Sequence, residues 1–194
     1  MSIAKLDAAT EVTIAQWFVG DLEAYLKSDV VYWPIAPMNP LGDKMPQLTI
    51  GGLLESFARA AAIDDLSSDQ RSILQAARAG HDRIVAAHRA AYLNKAAREI
   101  NSRLDVWSAY LDDAARKPSE VAAYYSHEVR SRAKAYLLAQ ALGRELPSAA
   151  QQRITALDTR LSAMFAPGVF VWDPRLQDAF PKDRCWWLYG QLPE

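Results

Sequence analysis

Three histidines are the residues whose chemistry needs testing first in this 194-residue chain. His81 and His88 fall in one apolar seam with Leu74, Ala77 and Ile84, so periodicity turns both imidazoles inward. They stand seven residues apart, roughly 10.5 Å along a helix, whereas two histidines sharing an ion on a helix need the i, i+4 spacing. His127 belongs to a helix that folds back after Lys117-Pro118, which sets it opposite about Ser108 and roughly 30 Å from His88. No metal is expected from them, and no cofactor. Cys185 sits among tryptophans, where burial raises rather than lowers a thiol pKa, and the chain contains no Gly-x-Ser-x-Gly elbow. Gly51 and Gly52 lie in the first turn of a helix whose open N–H groups could hold an anion, but no phosphate-loop lysine follows; close packing is the plainer reading.

Arg83 and His88 have the spacing Arg-x-x-x-x-His, which resembles the nuclease motif of HEPN helical domains, although Ile84 follows the arginine where that family usually has a polar residue. The resemblance implies a nuclease, and a metal-dependent or HEPN-like hydrolase stands as the lesser alternative. Neither the paired His-x-x-x-His of DinB-type metal-dependent bundles nor the Glu-x-x-His pair of di-iron carboxylate bundles occurs.

The element that must position these residues is the stretch from Ser68 to Arg116, which reads as one very long helix. Ser67 and Gln70 form a capping box at its start, and Lys117-Pro118 ends it. Its apolar residues make two series, Leu74, Ala77, Ile84 and Ala91, then Leu93, Ala97, Ile100, Leu104, Trp107 and Leu111. The register jumps near Asn94 and Lys95, so the halves face different neighbours. A straight helix over 68–116 would span roughly 73 Å, against a radius of gyration of about 16 Å for a compact chain of this size. Either it bends near Gly80 or Asn94, or it shares its flank with a second copy.

A first helix is predicted over Ala8 to Lys27, with Ile14, Phe18, Leu22 and Tyr25 inward, Trp17 and Leu26 widening that face, and Gly20 at a close crossing. The proline-punctuated segment 30–48 reads as an extended strap with Tyr32 and Trp33 tucked in. Thr49 caps a second helix to about Ile63, with Leu53, Leu54, Phe57 and Ala61 inward; Pro118 or Ser119 opens another that ends at Leu142 with Gly143 as its cap; and Ser148 caps a last helix with Ala150, Ile154, Leu157, Leu161 and Met164 inward. In the tail, Val169 to Trp172 and Cys185 to Tyr189 either pair as a small hairpin or cover the helices as an aromatic lid.

The fold expected is therefore all-α: an elongated five-helix bundle around one very long central helix, residues 1–165, with an irregular aromatic C-terminal segment, 166–194, packed on it. A formal charge of −1, with acids mixed among the arginines, gives no reason to expect nucleic acid, and no run of about 18 apolar residues points to a membrane. With no signal-peptide-like run at Met1 to Lys5 and a single cysteine, a cytoplasmic setting is expected. The leading function is a non-catalytic interaction or scaffold protein that self-associates through the long helix as a homo-oligomer, with a protein partner also open. The alternative is a small-molecule binder with a pocket between the strap and the long helix, lined by Tyr32, Trp33, His81 and His88.

Overall fold

In the computed structural model, which describes residues 6–35 and 45–193, most of the chain is helical and one small antiparallel sheet lies near the C-terminus. The described residues gather into two units, one of Leu6–Glu99 and one from Ile100 onward.

The first unit opens with α1, Ala8–Lys27, whose start is capped by Asp7 accepting from the Thr10 N–H at 2.8 Å; the hydrogen bonds to Thr10 hold that carboxyl below its usual pKa. Val12, Ala15, Phe18, Leu22, Tyr25 and Leu26 are buried on one side of α1. Trp17 is not, being 44% exposed, because it lies about 100° around the helix from Phe18 and beyond the edge of that face. Thr49 accepts from Gly52 N–H at 2.9 Å to start α2, Ile50–Ala61, which buries Leu53, Phe57 and Ala60 and leaves Ala61 exposed. Arg59 of α2 clasps the buried Glu11 of α1 at 2.6 Å.

The long helical stretch begins with the expected reciprocal cap, Ser67 N–H to Gln70 Oε1 at 2.9 Å and Gln70 N–H to Ser67 Oγ at 3.2 Å. It is not one uninterrupted helix. α3, Ser68–Ala87, and α4, Arg89–Arg116, are separated at His88, whose φ of −124° and ψ of 32° leave the helical region. The interruption falls at neither Gly80 nor Asn94. Backbone hydrogen bonds pass through it, from His88 N–H to Ile84 C=O and from Tyr92 N–H to His88 C=O, so His88 changes conformation with both of its own backbone groups paired. Strap residues 36–44 lie outside the described residues.

In the second unit α4 buries Ile100, Leu104, Trp107 and Leu111, the spacing read from the sequence. Lys117 leads into a single turn, α5, Pro118–Val121; then a 3-10 turn, Ala122–Tyr124, precedes α6, Tyr125–Leu142. Gly143, at φ 51°, ends α6 in a region that glycine alone enters cheaply. In α7, Ser148–Ser162, Ser148 is the first helical residue rather than the cap; Pro147 takes the cap position, and Ala150, Ile154, Leu157 and Leu161 face inward. Arg153 and Arg160 of α7 reach Asp105 and Asp112 of α4 at 2.6 and 2.5 Å.

The tail pairs β1, Ala166–Phe170, with β2, Tyr189–Gln191, in antiparallel register with a bulge between Pro167 and Phe170. It also covers α6. Tyr125 Oη donates to the Trp187 carbonyl at 2.6 Å, Trp172 Nε1 donates to the Ser126 carbonyl at 2.8 Å, and Arg132 lies over the Trp187 ring while forking onto both Asp158 oxygens at 2.8 Å. Trp187, Phe180 and Cys185 are wholly buried. Burial pushes the Cys185 thiol up to about 12 against the opposing pull of Arg132 and of the Tyr136 hydrogen bond. Cys185 should thus resist an aromatic disulfide reagent at pH 8 in the native protein and react fully in guanidinium; rapid native labelling would contradict the lid. Because an unfolded thiol ionises near 9.0 and the folded one near 12, this group stabilises the fold below pH 9 and loses that contribution as pH climbs towards 12.

Candidate functional site

The first unit contains the residues predicted to form a site, and two charges on α4 organise it. Lys95 and Glu99 are one turn apart on α4, 3% and 0% exposed, among the buried Tyr92, Ala96 and Ile100. Lys95 Nζ donates to Ser28 Oγ at 3.0 Å and to the Val30 carbonyl, just past the end of α1, and sits 4.4 Å above the Tyr25 ring. Its burial, reinforced by Arg98 and opposed by Asp29, lowers its pKa. Glu99 accepts from Gly51 N–H at 2.8 Å, in the first turn of α2. The helix start that the sequence suggested for an anion thus receives the chain's own carboxylate.

Between those anchors the two ends of the strap meet. Trp33 and Leu48 exchange backbone hydrogen bonds at 3.0 and 2.8 Å, Trp33 Nε1 donates to Asp21 at 3.0 Å, and Tyr25 Oη holds the Val31 carbonyl at 3.0 Å beside the half-buried Tyr32.

The histidines are held elsewhere. His81 packs edge-on against Phe57 and Tyr92, with ring centroids 5.5 and 5.8 Å away; its Nδ1 lies 2.9 Å from Asp82, and its buried Nε2 has no partner. His88 Nε2 is 3.4 Å from Glu23, a carboxyl held below its usual pKa first by Lys27 and then by His88. Asp21, which fixes Trp33, and Glu23, which meets His88, are two residues apart on α1 and so project about 200° from one another. Trp33 and His88 therefore approach α1 from nearly opposite sides. His127 is exposed and paired with its neighbour Glu128.

A groove of about 510 Å³ opens instead between α1 and α3, lined by Val19, Gly20, Ile73, Ala76, Gly80 and Ile84, with Glu23 and Arg83 on its rims. None of the four predicted ligand-binding residues lines it. Gly20 is not the close crossing: a Cβ there would meet nothing within 4 Å, whereas one on Gly80 would come 3.1 Å from Val19 Cγ1. Gly80 brings the helices together and Gly20 keeps the groove open.

Among the described residues no three His, Cys, Asp or Glu side chains gather as a metal site requires, and no helix is long and apolar enough to cross a membrane. No known protein family, curated protein or solved structure matches the chain.

Sequence reasoning passed over Lys95 and Glu99. The available signal was their place among core-spaced apolar residues, with opposite charges at i and i+4. Glu99→Ala should cost about 2 to 3 kcal/mol in equilibrium denaturation by stranding the Gly51 N–H and removing a charged hydrogen bond, while Glu99→Gln should cost less. Equal losses for both variants would mean that the carboxylate is not what holds the start of α2.

Proposed function

We propose that the protein is a non-catalytic helical interaction protein that self-associates through the face shared by α1 and α3, the first part of the long helical stretch. The groove between those helices carries this reading. Only Leu74 and Ala77 of α3 are buried, while Ile73, Ala76, Gly80, Ile84 and Ala87 follow in steps of three and four and keep part or all of their surface exposed. That is the pattern of a helix face awaiting a neighbour. A cytoplasmic setting belongs to the proposal, since Cys185 is a free, buried thiol. Light scattering at tens of micromolar should give twice the chain mass, and a strictly monomeric protein would overturn the reading.

A second reading, a small-molecule binder, draws on His81 alone. Its Nε2 is a buried hydrogen-bonding atom without a partner beside Phe57 and Tyr92, which an organic ligand carrying one polar group would satisfy. Protein from its own host, denatured and examined by mass spectrometry, should then release one small molecule that His81→Phe no longer retains; clean wild-type protein would dispose of this reading.

A further inference from the structure

Self-association through the groove can be specified further, because the charges on its rims select one arrangement. α1 and α3 run in the same direction: Val19 meets Gly80, and one turn further along α1 Glu23 meets His88. Glu23 on the α1 rim and Arg83 on the α3 rim therefore stand towards the same end. Arg83 is exposed and has no hydrogen-bond or ion-pair partner among the described residues. Glu23, whose side chain is 51% exposed, draws on Lys27 and His88 in surface pairs that are cheap to exchange.

Resting on the self-association reading, we propose that the occupant of the groove is a second copy of this chain, in a symmetric dimer whose twofold axis runs along the groove. That operation lays α1 of each copy over α3 of the other at the same height, so Glu23 meets the partner's Arg83 and the pair occurs twice. A twofold perpendicular to the helices would lay α1 on α1 and α3 on α3, and would leave Arg83 without an acid. Opposite charges then fix the register while the apolar floor supplies affinity.

Sedimentation velocity over a dilution series tests this, with circular dichroism to confirm folding. Glu23→Arg and Arg83→Glu should each weaken the dimer about tenfold or more by setting like charges against each other, and the double variant Glu23→Arg/Arg83→Glu should recover most of that loss. A dimer indifferent to either charge reversal, or weakened by both single changes with no recovery in the double variant, overturns this interface and leaves self-association standing. A monomeric wild-type chain overturns both.

Discussion

The first unit depends on a pair of opposite charges spaced one helical turn apart on α4. Lys95 sits at the end of α1, where backbone carbonyls lack intrahelical donors, and Glu99 sits at the start of α2, where N–H groups lack acceptors. Each charge has the sign that the helix dipole favours at its place. Taking an ammonium and a carboxylate out of water is costly, and such groups persist only where hydrogen bonds replace the lost water. Here the replacements are Ser28, the Val30 carbonyl and the Tyr25 ring face for the lysine, and Gly51 N–H for the glutamate. Since α1 and α2 are consecutive, fixing the end of one and the start of the other also fixes both ends of the strap, and the Trp33–Leu48 rung closes it.

The second unit uses a buried ion pair to a different end. Arg132, 5% exposed, spends two nitrogens on Asp158 and lays its planar face against Trp187. An arginine can do both at once because its donors lie in the plane of the group and leave the faces free to stack. The Trp187 carbonyl then accepts from Tyr125, so one tail residue is held through its ring and its backbone by two residues of α6. The tail covers α6 through these hydrogen bonds as well as by apolar area, with Arg132 Nη1 and Trp187 Nε1 buried beside them without a partner.

Legibility followed the range of the interaction. The Ser67–Gln70 box, the Thr49 cap, the Gly143 stop and the α7 spacing are local, each set by residues within a few positions, and each is present. Features that depend on a distant segment were hidden. No proline or glycine marks His88, whose ring instead engages α1. Glycine permits either a close contact or an opening, and the sequence alone did not show that Gly80 makes the first and Gly20 the second. Lys95 was legible only as a place where the apolar register jumps and Glu99 not at all, because pattern alone does not reveal that two helix ends lie opposite them.

The same distinction separates the strap from the groove as places for function. The described strap ends are tied by backbone, indole and hydroxyl hydrogen bonds, so opening them would break several paired groups at once. The groove asks for no such rearrangement. Its floor of glycine, alanine and branched side chains loses little conformational entropy on being covered, and its rim charges are exposed surface groups. Covering a surface of this kind uses what is already in position, so the exposed face of α1 and α3 asks less of the fold than opening the tied ends of the strap would.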